Sequence, residues 1–352
     1  MRNWARILIH LFSIILLSEG GNDSDPKNIP TTLSPPLTPP EGSKILRLGF
    51  FTPANAEDYR YMVLIKDAKS TTHIGAGTIF FWGKWILTTR DNVADVSRID
   101  NDSGSKRYVI SKTRDLRIYP KSSNKLSEVS AGKFWVPEKI FCHPFLDKPN
   151  EMKHHTDIAV IKLKGSIPLD PLNKRSGYQA IELYEEDYSL APVTHLKIAG
   201  WGTFDPLPDD PPMSEDLMET AVDLATNCPK NISLKPLANL CLNWGLRRFC
   251  KGDFGGPAVL IRTDCPHCSQ YWKYHLYGVL SSNSGRDCSA GYPHILNVTY
   301  FRDFIDNVRR HEPAEYECKN MENGTSFQNG PFKKLNKKLG TKKPSRKKAD
   351  LS

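Results

Sequence analysis

The stretch Cys250-Lys251-Gly252-Asp253-Phe254-Gly255-Gly256-Pro257 runs directly into the apolar segment Ala258-Val259-Leu260-Ile261. Its glycines at 252, 255 and 256 read as a tight turn that residues with a Cβ do not readily follow. At its centre, Phe254 carries neither a lone pair nor an ionisable proton. No nucleophile can be made from such a side chain.

Outward from this turn lie short apolar segments bounded by Gly, Asn, Asp and Pro. They are Tyr61-Met62-Val63-Leu64-Ile65, Gly77-Thr78-Ile79-Phe80-Phe81, Trp85-Ile86-Leu87-Thr88, Ile158-Ala159-Val160-Ile161 with Leu163, His195-Leu196-Lys197-Ile198-Ala199 and His275-Leu276-Tyr277-Gly278-Val279-Leu280. Short runs rich in β-branched and aromatic residues predict strands of a barrel or sandwich. One helix is expected, over residues 300–311, where Phe301, Phe304, Ile305 and Val308 share a face. No long internal repeat is visible.

Three further segments accompany the turn. Gly75-Ala76-Gly77-Thr78 leads on to Trp85-Ile86-Leu87-Thr88-Thr89-Arg90-Asp91; then come His155-Thr156-Asp157-Ile158-Ala159-Val160-Ile161-Lys162-Leu163 and Ala199-Gly200-Trp201-Gly202-Thr203. In order, these segments and 250–257 resemble four signatures of the chymotrypsin/trypsin family of serine proteases. The signatures are Cys-Gly-Gly-Ser through Trp-Val-Val-Thr-Ala-Ala-His-Cys, the surroundings of the triad aspartate, Ser-Gly-Trp-Gly, and Gly-Asp-Ser-Gly-Gly-Pro. The resemblance implies an all-β fold, a trypsin-like double Greek-key β-barrel with a C-terminal helix. The domain would span residues 45–312, with a first barrel at about 45–185, a second at about 186–298 and the helix at 300–311.

Carried over position by position, the resemblance puts Asp91 where the family has its catalytic histidine, keeps the aspartate as Asp157, and puts Phe254 at the serine. Nucleophile and general base are therefore both missing. The chain is most similar to the non-catalytic serine protease homologues of invertebrates. Two carboxylates in place of a His–Asp pair repel unless one is protonated or a cation intervenes, and Arg90 is the nearest cation in sequence. A rearranged triad using His154 or His155 is the alternative. A metal set of His154, His155, Asp157 and Asp91 lacks helical ligand spacing, so no metal or cofactor is expected.

The amides of Gly252 and Phe254 occupy the positions of the family's oxyanion hole, which depends on backbone alone. Arg248 falls at the base of the specificity pocket, where trypsins carry an acid. The aspartate that pairs with a newly cut N-terminus is kept as Asp253, and the terminus would be Leu48, after Arg47. Phe50-Phe51 stands where the family has flexible glycines, which favours a domain that needs no such cleavage.

Arg2 and Arg6 followed by the apolar run 7–17 read as a signal peptide over residues 1–20, and residues 21–44 as a Pro/Ser/Thr-rich linker. No later segment is long enough for a transmembrane helix. Eight cysteines in an exported chain predict four disulfides. The resemblance implies Cys228–Cys241 and Cys250–Cys288. The CxxC at Cys265 and Cys268 reads as a locally closed loop, which leaves Cys142–Cys318 to tie a strap (313–330) to the first barrel. The bridge that flanks the family's histidine is absent, since Gly75 and Asn92 replace its cysteines. Sequons begin at Asn22, Asn101, Asn231, Asn297 and Asn323.

The net charge is +9, but residues 331–352 carry nine Lys/Arg against one acid, so the basicity belongs to a tail. With almost nothing apolar to bury, that tail is expected to be disordered. It suits heparan sulfate or another polyanion, or serves only solubility, and it lacks the aromatic residues of a specific nucleic-acid binder. The whole reads as a secreted, extracellular glycoprotein that binds another extracellular protein, such as an active serine protease or its inhibitor. Its roles would be protease cofactor, decoy or recognition module. The alternatives are an active endopeptidase with a rearranged site, or a tether using the tail.

Overall fold

The computed structural model describes residues 51–55, 57–100, 106–144, 156–170, 177–185, 195–203, 213–225, 228, 237–243, 250, 252–261, 274–282 and 293–321. The chain divides into Met1–Ile45 and Leu46–Ser352, and every described element belongs to the second unit. The expected signal peptide, linker and Lys-rich tail lie outside the described residues.

An edge strand β1 (Thr52–Pro53) precedes β2 (Met62–Asp67), β3 (His73–Phe80) and β4 (Trp85–Thr88). A one-turn helix α1 (Arg90–Val93) opens a hairpin of β5 (Ala94–Asp100) and β6 (Lys106–Thr113), followed by β7 (Leu116–Pro120) and α2 (Leu126–Ala131). Then come β8 (Pro137–Cys142), β9 (Ala159–Leu163) and β10 (Glu182–Leu183). The second half contains β11 (His195–Gly200), β12 (Met218–Leu224), β13 (Asn239–Asn243), β14 (Pro257–Ile261), β15 (Tyr274–Ser282), β16 (Pro293–Asn297) and α3 (Arg302–His311).

The first sheet runs β7-β2-β3-β4-β9-β8. A reciprocal pair of backbone hydrogen bonds between Ile118 and Trp135, both 2.8 Å, joins its ends and closes a six-stranded barrel. The second runs β12-β11-β14-β15-β16-β13 and closes where β13 returns to β12, pairing Asp223 with Asn243 and Leu224 with Leu242. Closure removes the exposed strand edges of an open sheet. All six apolar segments expected as strands are strands, because their β-branched and aromatic side chains fill these interiors. In β3 all eight residues are buried. Leu196, Ile198, Val222, Leu242, Ala258, Leu280 and Ile295 form the second core.

Two short strands that precede β11 in the chain pair with the second sheet. β1 pairs with β12 and β10 with β15, so 52–53 and 182–183 extend the second sheet although they lie within 45–185. Each satisfies backbone groups the larger sheet leaves open, a pairing no local pattern reveals. The β5–β6 hairpin, a separate two-stranded sheet, was likewise not among the expected strands.

Helix α3 starts at Arg302 and buries Phe304, Ile305 and Val308, at about 1.5–3 kcal/mol for each large side chain. Beyond it the strap returns to the first barrel. The Cys142–Cys318 disulfide and a bridge between Phe141 and Glu317 fasten it to β8. Lys139 pairs with Glu317 at 3.1 Å and Glu312 at 3.4 Å, and Lys162 with Glu312 at 2.7 Å. Cys228–Cys241 is the second bridge between described residues. Cys250 is disulfide-bonded too, while Cys265, Cys268 and Cys288 lie outside the described residues.

The turn between β3 and β4 is unusual. Phe81, Trp82 and Gly83 have φ of +45°, +59° and +70°, and the Lys84 amide donates to Phe81 O at 3.5 Å. Left-handed backbone costs roughly 1–2 kcal/mol for each residue with a Cβ. Two aromatic residues thus stand where glycine or asparagine would fit more cheaply.

Candidate functional site

Helix α1 follows directly from β4 and carries Arg90, Asp91 and Asn92 to the junction of the barrels, where Asp157 arrives just before β9. Asp157 is 3% exposed. Its Oδ1 accepts from the Asp91 amide at 2.9 Å and its Oδ2 from the Ser281 hydroxyl at 2.8 Å. Ser281 belongs to β15, so this carboxyl bonds both barrels. Burial pushes it up to about 7; the neighbouring Asp91 adds to the rise, while Arg90 and the two hydrogen bonds oppose it.

Two features bear on the repulsion between the paired carboxylates. Asp157 is poised to be protonated near neutral pH, and the wholly buried Arg90 is attracted to Asp157 and Asp91 together. The Arg90 guanidinium donates to Thr156 O, next to Asp157 in sequence, at 3.0 Å. Asp91 itself is half-buried.

The turn at 252–256 fits the glycine reading, with Gly252 at φ +99° and Gly255 at φ +87°. Phe254 is 7% exposed and packs with Cys250. Its carbonyl accepts from the Ala76 amide at 2.9 Å and from the Asn92 side chain at 2.7 Å. The same Asn92 Nδ2 lies 3.3 Å from Ala76 O and 3.1 Å from the Thr88 hydroxyl, which donates to Ala76 O at 2.7 Å. A Cβ on Gly75 would lie 2.5 Å from both ends of the Asn92 amide and 2.6 Å from Phe254 O. Where the resemblance places a disulfide, a glycine and an asparagine form a polar knot between the barrels.

Asp253 is wholly buried and accepts from the amides of Gly202 at 2.7 Å and Cys250 at 3.2 Å. Burial pushes its carboxyl up to about 7 against these two bonds. A Cβ at Gly202 would strike the carboxylate, which accounts for glycine there. Trp201 beside it is fully buried and donates to Asn124 O at 2.8 Å.

The structure thus brings Asp91, Asp157, Gly252, Asp253 and Phe254 to one junction. Leu48, Arg248, His154 and His155 lie outside the described residues, as do the sequons at Asn22, Asn101, Asn231 and Asn323. Asn297 ends β16, with its side-chain amide donating to Leu237 O at 2.9 Å. Sequence reasoning missed Ser281, Thr88 and the amide of Asn92. Ser281 bonds a residue 124 positions away, and nothing beside it in sequence signals that. Among the described residues, no group of three or more His, Cys, Asp or Glu could hold a metal ion, and no helix is long and apolar enough to cross a membrane.

Two closed six-stranded barrels with a buried aspartate and a glycine turn at their junction define the chymotrypsin-like class of fold. The trypsin family model matches residues 50–305, and the chain belongs to that family. Comparison with curated proteins finds no match.

Proposed function

We propose that this chain is a secreted, non-catalytic member of the trypsin family that acts by binding an extracellular protein. Such a partner is an active serine protease, for which the chain serves as cofactor, or a protease inhibitor or substrate, for which it is a decoy. The observation that carries the reading is Phe254. It takes the nucleophile's place on a turn whose backbone is tied to Ala76 and Asn92 and whose side chain is buried. Asp91 takes the base's place beside Asp157, and an acid there has no hydroxyl to activate. The two hydroxyls tied into the site are held as donors, Ser281 to Asp157 and Thr88 to Ala76 O. That supports loss of hydrolysis rather than its rearrangement. The fold and disulfides suit an oxidising, extracellular compartment.

Purified protein incubated with unfolded casein and a complex peptide mixture, read by mass spectrometry, is expected to yield no cleavage above buffer. Cleavage that disappears in an Asp157→Ala variant would overturn the reading. Recovery of the chain in the medium of expressing cells tests secretion.

A further inference from the structure

Lys66 on β2 stands directly opposite Arg117 on β7, so two cations share one face of the first barrel. Like charges in that register repel, and here aromatic rings rather than acids accompany them. The Arg117 guanidinium lies 4.8 Å from the Phe134 ring centre, and the Lys66 ammonium 5.8 Å from that of Tyr119. The two rings are themselves 5.5 Å apart, so the four side chains form one cluster. Among the described residues, neither cationic side chain has an oxygen partner. Partial burial lowers the Lys66 ammonium, and no carboxylate offsets it. The acids next in sequence are committed elsewhere. Asp67 Oδ1 accepts from the amides of Lys69 at 2.9 Å and Ser70 at 2.7 Å, and Asp115 lies 3.4 Å from the Lys69 ammonium. Arg60, Arg90, Arg114 and Arg302, by contrast, each donate to an oxygen of the chain.

We infer that this face docks an acidic peptide segment of a partner protein, whose carboxylates meet Lys66 and Arg117 while an apolar side chain covers Phe134. Charge complementarity is the first argument. Stacking engages the flat face of the Arg117 guanidinium and leaves its in-plane N–H fork open to a carboxylate. The exposed Lys164, whose amide donates to Val136 O at 2.9 Å, adds to the same field. The apolar border is the second argument. Phe134 is 41% exposed and Val136, two residues along the same extended segment, 39%. A sulfated glycan, charged along its length, has no side chain to cover them. The chain's own Lys-rich tail carries the same sign as the cluster and is repelled by it. Arginine and aromatic residues are also the side chains enriched at protein–protein contacts. The inference gives the proposed binding function a surface outside the former active site, and it stands whether or not that site is catalytic.

The test is fluorescence anisotropy of a fluorescein-labelled Glu-Leu-Glu-Phe-Glu peptide, titrated with the full chain and with its Arg117→Gln and Phe134→Ser variants. A Glu-Gly-Glu-Gly-Glu peptide and a heparin hexasaccharide are run beside it, and a Lys342→Gln, Lys343→Gln variant controls for the tail. The wild type is expected to bind the apolar acidic peptide, and each barrel variant to bind it about tenfold more weakly. The tail variant should bind as the wild type does, and the glycine peptide should bind more weakly than its apolar counterpart. Thermal midpoints establish that the variants are folded; because Phe134 is exposed, its serine variant carries the test even if Arg117→Gln disturbs β7. A wild type that does not take the peptide, binding indifferent to a folded barrel variant, binding lost with the tail lysines, or equal binding of the glycine peptide would each overturn the proposal. So would a heparin fragment that alone depends on Arg117, which would assign this face to a sulfated glycan.

Discussion

The Asn92 side-chain amide donates to the Phe254 carbonyl at 2.7 Å, joining the helix that carries Asp91 to the turn that carries Phe254. The same nitrogen lies within bonding distance of Ala76 O and the Thr88 hydroxyl. Removing it leaves buried acceptors short of a donor, a loss of about 1–3 kcal/mol. Asn92→Ala is therefore expected to lower the thermal midpoint by several degrees. Gly75→Ala should cost at least as much through steric conflict with that amide. The double variant should be less destabilised than the sum, because truncating Asn92 removes part of the conflict; calorimetry of the four proteins checks this coupling.

Asp157 and Asp253 both sit at about 7 in the fold because burial disfavours their charge. In the unfolded chain they titrate near 3.9. Between those values the folded state binds more protons, so stability falls as pH rises through about 7 and recovers as pH is lowered toward about 5. Thermal midpoints measured from pH 5 to 8 should decline with rising pH. Asp253→Asn should flatten part of that slope.

The strap offers a comparison of magnitudes. The Cys142–Cys318 bridge spans 176 residues, and removing a native disulfide typically costs about 2–5 kcal/mol. The ion pairs of Lys139 with Glu312 and Glu317 are partly exposed, and such pairs contribute about 0–1 kcal/mol. A Cys142→Ala, Cys318→Ala protein should therefore lose much more stability than Lys139→Ala, as denaturant unfolding would show.

At the β3–β4 turn, Trp82→Asn should keep or raise stability, by up to about 1 kcal/mol, since asparagine tolerates the left-handed backbone better than tryptophan. A loss of stability would show that the indole supports the fold itself.

Much of this architecture was legible in the sequence because it is written in local patterns. Apolar runs such as Trp85–Thr88 and 275–280 are strands, and the spacing of Phe301, Phe304, Ile305 and Val308 is the buried face of α3. The glycines at 252 and 255 announced a turn, and Asp91 and Phe254 could be placed by counting along motifs. What escaped notice depends on close approach between distant segments. Ser281 meets Asp157, and Asn92 fills the space that Gly75 leaves, only once both barrels have closed. The β5–β6 hairpin escaped for another reason, its charged residues leaving only the three-residue apolar run Tyr108-Val109-Ile110. The aromatic β3–β4 turn escaped because Gly77–Phe81 reads as one uninterrupted strand, whereas the backbone turns left-handed at Phe81.

The most direct test of the central claim is reaction of the purified protein with a fluorophosphonate probe, beside active trypsin and an Asp91→His, Phe254→Ser double variant. The account predicts no labelling of the wild type under conditions that label trypsin fully, and labelling at residue 254 once the serine and histidine are restored. Labelling of the wild-type chain at any single serine or threonine would contradict it, because a working nucleophile would then exist without the residues at 91 and 254.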